Sequence, residues 1–509
     1  MKEPPTTTTF PPQDVGLGPI KHTPPILEPQ QEKEYEEQKL EQSPTTDLVS
    51  VVTYSQKEER ALLLKQDLTI IPLCAFIYLL CYLDRSNIGN ARILNSSTKN
   101  DMQTEIGASQ YQFNIALMVF LVGYATFEVG SNVMLKKMRP SRWLAFLMFS
   151  WGTITIGLGG VQTFSATAGV RFLLGAFEAG LFPGLVYYLT FWYRTDERSV
   201  RVALILASAT LAGAFGGAIA YSVGKGMNGV QGLSAWRWLF ILEGIPSCVS
   251  AVMVWFLLPD YPETAYFLKP REKEIAVERL KGEGSQSGEK SMTWEDAKKT
   301  LTDWRLYGHY AVYFGVSVPF SSLSLFTPAI TAGLGYKDLR AQLMTVPPYV
   351  AAYVTQIIVA WSADHFNARG AHSAALALMG AIGFMASALL PPESYLERYG
   401  CLIVASAGAF ACIPPLLGWL TSTMYSTASV GLAIAINVSI GAGLGQMPGV
   451  WIYKAEERGR GYPTGHWVNA GMLFFCFVGI VGLRVFYGWK NKRLLEGKRE
   501  GEVVKLYKL

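Results

Sequence analysis

The chain has 509 residues, of which 50% are hydrophobic and only 16% charged, with a net charge of +5 and a mean hydropathy of +0.22. A soluble protein of this length would fold as several domains and carry more charge, so this composition excludes an ordinary globular enzyme and places most of the chain in lipid. The small net charge says little about partners, and no nucleic-acid partner is expected.

In chain order, residues 1–56 are rich in Pro, Thr, Gln and Glu and hold too little apolar area to fold, so they read as a disordered cytosolic tail. The polar start, MKEPPTTTTF, has no cleavable signal, which leaves the first membrane helix as the expected targeting signal. Twelve apolar segments follow, each of the length a membrane helix needs. They lie at 67–88, 111–133, 142–162, 167–191, 202–222, 237–258, 307–330, 341–363, 372–390, 399–420, 428–451 and 467–488. The expected fold class is therefore an all-α membrane protein with 12 transmembrane helices in two six-helix halves. The divisions are a first bundle at 57–258, a cytosolic linker at 259–304, a second bundle at 305–489 and a cytosolic tail at 490–509. The linker holds two helix-like pieces, and Thr293 with Asp296 resembles a capping box for the second. Two halves of six suggest a site near the midplane between them.

Lys and Arg concentrate in the linker, the tails and the loops after the second and fourth segments, which places both termini in the cytosol. Asn95-Ser96-Ser97 is a glycosylation sequon and would then face outside. The six cysteines, Cys74, Cys81, Cys248, Cys401, Cys412 and Cys476, lie in apolar spans without metal or redox spacing and read as small core hydrophobes. The histidines are scattered. No nucleotide-binding loop and no Ser/His/Asp set appears, so no cofactor, no metal and no enzymatic activity are expected.

Four ionisable side chains stand inside the apolar spans: Asp84, Arg85, Arg171 and Glu178. A charge at a membrane helix centre costs at least about 2.5–3.5 kcal/mol on insertion scales and marks function by default. Arg171 and Glu178 are seven residues apart, two turns and about 10.5 Å along one helix face. Gly175 between them leaves room for a ligand or for a close helix contact. Asp84 and Arg85 are adjacent, so only one can point straight into a cavity. A carboxylate that exchanges an arginine for a proton is a coupling device, and an arginine, always charged, grips an anion with a planar fork. Glu178 and Asp84 are the expected proton-coupling residues. Arg85 and Arg171 are the expected anion binders, with Arg85 the main clamp and Arg171 also pairing Glu178 or Asp84. Tyr313, Phe320, Ser321, Tyr349, Gln356 and Asn437 offer aromatic and amide groups for the second half of a pocket for a flat organic acid. Glu243 starts a Glu-Gly-Ile-Pro run in the sixth segment, where it is expected to satisfy a helix irregularity. Glycine pairs 180/184 and 213/217 read as close helix packing.

Two runs occupy matching places in the halves: Glu128 to Lys136-Lys137 after the second segment, and Trp361-Ser-Ala-Asp364-His365-Phe-Asn-Ala-Arg369-Gly370 after the eighth. Each puts an acid at a helix end and bases in a tight turn, so Glu128, Lys136, Lys137, Asp364 and Arg369 are expected cytosolic gate-loop residues.

These runs resemble the loop signature of the major facilitator superfamily. Three further stretches resemble the fungal allantoate-permease-like branch of its anion:cation symporters. They are Tyr82-Leu83-Asp84-Arg85-Ser86-Asn87-Ile88-Gly89-Asn90-Ala91, the stretch from Arg171 through Gly175 and Glu178 to Pro183-Gly184, and Trp236 to Glu243-Gly244-Ile245-Pro246. The likeness covers residues 60–490. It implies the major facilitator fold and proton-coupled import of a small organic anion, a carboxylate such as nicotinate or a related vitamin or metabolite. It also implies roles for Asp84, Arg85, Arg171 and Glu178 in proton coupling and anion recognition. The fifth segment lacks the Gly-Pro pair of an antiporter signature, which favours symport or uniport. Tyr425 to Ser429 is Ser/Thr-rich where related members carry a polar, basic stretch. A plasma-membrane monomer, with protons, the organic anion and the bilayer as its partners, is the expected setting. The alternatives are a proton-coupled exporter of an organic acid and a non-transporting nutrient sensor.

Overall fold

A charged, capped start lets the first helix begin well before its apolar stretch. Ser55 accepts the backbone N–H of Glu58 while Glu58 returns a bond to the Ser55 N–H, and the helix α1 runs Gln56–Ile93, eleven residues earlier than its expected start at 67. The computed structural model describes residues 54–194, 197–280, 294–336, 338–423, 427–497 and 506–508. Residues 1–53 of the expected tail at 1–56, and Thr293 of the expected capping pair, lie outside the described residues.

After α1 come α2 (Gln110–Lys137), α3 (Pro140–Leu158), α4 (Phe164–Leu189), α5 (Arg198–Gly226) and α6 (Ala235–Leu257). Two short helices, Pro270–Glu278 and Trp294–Thr302, fall in the linker. The second half holds α7 (Trp304–Gly333), α8 (Leu339–His365), α9 (Arg369–Leu389), α10 (Tyr395–Ser422), α11 (Leu432–Trp451) and α12 (Pro463–Glu496). Among the described residues, eleven helices are long and apolar enough to cross a membrane. The remaining expected segment is α3, whose 19 residues include Arg142 and several Ser and Thr that dilute its apolar character. It packs closely along α6: a Cβ on Gly152 or Gly244 would come within 3 Å of the facing helix.

Three spans are broken rather than continuous. α4 is interrupted at Ala179–Gly180, four residues upstream of Pro183–Gly184. α10 divides at Cys412 before Pro414 and Pro415. α11 passes through a π-helical stretch, Ser439–Gly445, containing three glycines. Proline removes one N–H and crowds the carbonyl four residues earlier, so the helix opens there. α4 and α10 are the fourth spans of their halves, and paired interruptions of this kind flank the site in two-half carriers.

The first half is held by α2 with α4, α3 with α6 and α1 with α5; the second by α9 with α12 and α8 with α10. Across the halves, α5 packs on α8, α1 on α7 and α2 on the π-helical part of α11. At the α1 N-terminal end a charge cluster ties the linker down. Arg279, with a fully buried side chain, pairs Glu59 at 3.4 Å and also Glu197, Arg194 pairs Glu59 at 3.0 Å, and Lys65 pairs Glu272 at 2.6 Å. Part of the expected tail at 490–509 is described. α12 continues to Glu496, and the last described residues are pinned by Trp419 Nε1 donating to Lys508 O and by two Asn491–Tyr507 bonds, all at 2.8 Å. All six cysteines are free.

Candidate functional site

The site is built where α4 breaks. Glu178 is the last residue of the first α4 segment, and Arg171, two turns earlier, lies on the same inward face; both are buried. Gly175 between them makes no ligand space. A Cβ there would stand 2.1 Å from the Phe120 carbonyl of α2, so the glycine serves backbone-to-backbone packing. That approach lays Phe120 and Tyr124 of α2 against the charged face of α4.

Arg85 of α1 reaches into this corner and donates Nε–H to Glu178 Oε2 at 3.0 Å. Its guanidinium carbon sits 4.6 Å from the Tyr124 ring centre and 5.1 Å from that of Phe120. Arg171 lies 4.6 Å from the Phe120 ring centre. Its Nε and Nη1 are buried without a hydrogen-bond partner, and no carboxylate pairs with it among the described residues. The expected pairing is thus reversed: Glu178 is held by Arg85, and Arg171, which shares its helix face, is left open. Two turns separate Arg171 from Glu178 along the axis, whereas α1 crosses beside the break and brings Arg85 within bonding range.

Asp84 does not join this pair. As its adjacency to Arg85 requires, it turns to the other side of α1, where Oδ2 accepts from Ser247 of α6 at 2.7 Å and Oδ1 has no hydrogen-bond partner among the described residues. Glu243, one turn before Ser247, has both carboxylate oxygens buried and, among the described residues, unpartnered. It therefore does not supply the satisfying contact expected at the Gly244–Pro246 irregularity.

Across the halves, Tyr313 is packed against the π-helix, since a Cβ on Gly441 would meet its ring at 2.0 Å. Tyr349 lies over Gly213 of α5 and donates to Leu323 O at 3.2 Å, and Gln356 accepts from Thr210 of α5 at 2.8 Å. Phe320 stacks edge-on between Tyr82 and Phe410, and Ser321 Oγ is buried without a partner among the described residues. Asn437 is buried, with neither amide atom bonded among the described residues. The stretch Tyr425 to Ser429 begins in residues that are not described, and nothing places its side chains.

The two gate runs are unlike. Asp364 accepts from Arg369 Nε at 2.6 Å, and Arg369 Nη1 donates to Gly418 O at 3.1 Å, so this turn clamps α8, α9 and α10. Glu128, by contrast, is corrected from a loop position to the interior of α2. It is fully buried, and Oε2 accepts from Ser439 of α11 at 2.8 Å. The α2 helix simply runs on to Lys137, carrying Glu128 more than two turns back from its end. Lys137 is exposed, and the Lys136 side chain lies outside the described residues. Ser439 was not legible as a partner, because nothing in a glycine-rich apolar run announces a contact with a residue more than 300 positions away.

A separate cavity of about 620 Å³ lies at the α1 C-terminal end between the halves, with Arg92, Gln103, Gln110, Phe326, Tyr453 and Arg458 in its wall.

Known proteins are similar to this chain over most of its length. The family description of the Major Facilitator Superfamily matches residues 74–450. A relative described as MFS transporter prlL, from Fungal sp. (strain NRRL 50135), is 65% identical over 89% of this chain and 92% of its own length. A putative tartrate transporter of Agrobacterium vitis is 30% identical over 82% of this chain and 90% of its own. Among solved structures, the partially occluded inward-open xylose transporter XylE from E. coli superposes with a TM-score of 0.62 at 14% identity, covering 86% of this chain and 99% of that one.

Proposed function

This chain belongs to the major facilitator superfamily, and on that premise we propose that it imports a small organic anion together with protons. It is an integral membrane transporter of that superfamily and not an enzyme. The observation that carries the anion reading is Arg171, a buried guanidinium with two N–H groups unbonded and no carboxylate partner among the described residues. An uncompensated buried cation is costly, and an incoming carboxylate would supply both its counter-charge and its missing hydrogen bonds. The similarity to relatives described as putative tartrate transporters supports a carboxylate cargo. The aromatic rings of Phe120, Tyr124 and Phe320 favour a flat acid of the nicotinate type, within the wider class of vitamin and metabolite carboxylates.

Coupling follows from the Arg85–Glu178 pair. Protonation of Glu178 breaks the ion pair and frees Arg85 to join Arg171 on the anion; release of the proton restores the pair and displaces the cargo. Asp84 is the second candidate proton carrier. A monoanion entering alone against 100 mV loses about 2.3 kcal/mol. One accompanying proton cancels that cost and adds about 1.4 kcal/mol per pH unit of gradient. The halves at 57–258 and 305–489 are the proposed rocking bodies, with the Asp364–Arg369 clamp and the basic turn after α2 on the cytosolic side. Cytosolic termini and a monomer in the plasma membrane complete the reading.

The test is reconstitution in vesicles. Glu178→Gln imitates the neutral carboxyl, so counterflow of labelled nicotinate or tartrate should persist while pH-driven accumulation disappears. Undiminished accumulation by Glu178→Gln under a proton gradient alone would move the proton to another residue.

A further inference from the structure

The cavity at the α1 C-terminal end is not part of the Arg85–Glu178–Arg171 corner. Arg92 lies seven residues beyond Arg85 on the same helix, about 10.5 Å along its axis. Between the two, α1 and α7 touch backbone to backbone: a Cβ on Gly89 would come within 2.4 Å of Leu325 O. Tyr82 is hydrogen-bonded to Ser324 in the same layer, and Gln342 Nε2 donates to Asn90 O at 3.2 Å. The cavity is therefore closed off from the corner and lies outside that layer.

Its chemistry is that of an anion site. Arg92 Nε donates to Gln103 at 3.1 Å, Nη2 donates to Gln110, and the guanidinium is flanked by the Phe113 and Phe326 rings at 5.3 and 5.6 Å. These contacts fix the fork without neutralising it, and Nη1 carries no hydrogen bond among the described residues. Arg458, from the segment after α11, brings a second positive charge to the same wall. Asp101, held by Thr104 at 3.0 and 2.8 Å, offsets part of the Arg92 charge from a distance but forms no ion pair with it among the described residues. No carboxylate pairs with either arginine among the described residues. Phe326 and Tyr453, stacked at 5.6 Å, provide a flat apolar wall beside the charges.

We propose that this cavity is a collecting site, where a small carboxylate with a planar ring rests on Arg92 and Arg458 before the α1–α7 layer opens. The proposal rests on the anion-carrier reading of the corner. A positively charged, low-dielectric mouth concentrates an anionic ligand and speeds its capture, and its contribution falls with ionic strength.

The experiment is equilibrium binding of labelled benzoate to the purified full-length protein in lipid nanodiscs, with uncharged benzamide as control. Arg458 is exposed, so Arg458→Gln should fold, which its melting curve verifies. The expected result is a salt-sensitive class of benzoate binding that Arg458→Gln weakens about three- to fivefold. Arg92→Gln should weaken the same class, Arg171→Gln should leave it in place, and benzamide should not compete. If Arg458→Gln and Arg92→Gln leave benzoate binding unchanged while Arg171→Gln abolishes it, the collecting site is overturned and the anion reading of the corner stands. If wild type binds benzamide as well as it binds benzoate, with no effect from any arginine variant, both readings fail.

Discussion

At the residue scale, two arginines that look equivalent in the sequence do different work because only one finds a carboxylate. Arg85 spends its Nε on Glu178, and Arg171 keeps two buried N–H groups open. Lysine can replace a point charge but not a planar fork. On the proposed anion reading, Arg171→Lys should therefore raise the apparent KM for a carboxylate cargo about tenfold, equivalent to losing one charge-assisted hydrogen bond of roughly 1.5 kcal/mol. Arg85→Lys can still meet Glu178 and should act mainly on coupling, lowering accumulation more than affinity. Initial-rate and accumulation assays on the two variants separate these outcomes; equal KM shifts in both would remove the distinction. That Arg85, Arg171 and Glu178 are charges set inside membrane spans was legible in the sequence. Which arginine holds the glutamate was not, since spacing along α4 says nothing about where α1 crosses it.

At the element scale, the glycines set how close the helices lie. Gly175 and Gly180 press α4 onto α2, with hypothetical Cβ atoms 2.1 Å from Phe120 O and 1.7 Å from Ser131 Oγ. The first contact is to backbone, which cannot rotate away. Gly175→Ala should therefore destabilise the protein by about 1–3 kcal/mol through overpacking. Gly169→Ala, on the same helix with nothing within 4 Å, should be neutral or slightly stabilising. Thermal melting of the purified variants compares them directly. The breaks in α4 and α10 follow from proline positions that any reader of the chain can mark. The π-helix in α11 does not, because its glycines permit several backbones and packing against Tyr313, Phe314 and Ala125 selects one.

At the scale of the whole molecule, the halves are closed at the α1 C-terminal end by α1 on α7 and α5 on α8. Gly217 faces Thr345 so closely that a Cβ would lie 3.5 Å from the Thr345 Cβ, within disulfide range once the Gln342 carbonyl, 2.8 Å away, gives slightly. Gly217→Cys with Thr345→Cys should cross-link under mild oxidation, arrest transport, and recover on reduction. Free transport by the cross-linked protein would mean that this contact does not part during the cycle. The tail contacts have their own dependence on acidity. Asp303, just before α7, is opposed by burial, but hydrogen bonds and charge from Arg305 outweigh it and hold the carboxyl below the usual range. Arg305 also donates to Tyr507 at 2.5 Å. A depressed folded-state value means that this support is present at neutral pH and is lost only as pH falls through that lowered value.

The sequence by itself determined the class of molecule, the helical segments and the intramembrane charges, because lipid penalises polar groups locally and residue by residue. It also marked Asp364 and Arg369 as lying in one short turn, while their ion pair came only from the fold. Only the tertiary structure decided the contacts made between distant segments: Arg85 with Glu178, Asp84 with Ser247, Glu128 with Ser439, and Arg92 with Arg458 around one cavity. Each depends on helix crossing angles and depths set by the packing of glycines and aromatic rings against their neighbours. Those quantities are properties of pairs of elements, and periodicity within one element carries no information about them.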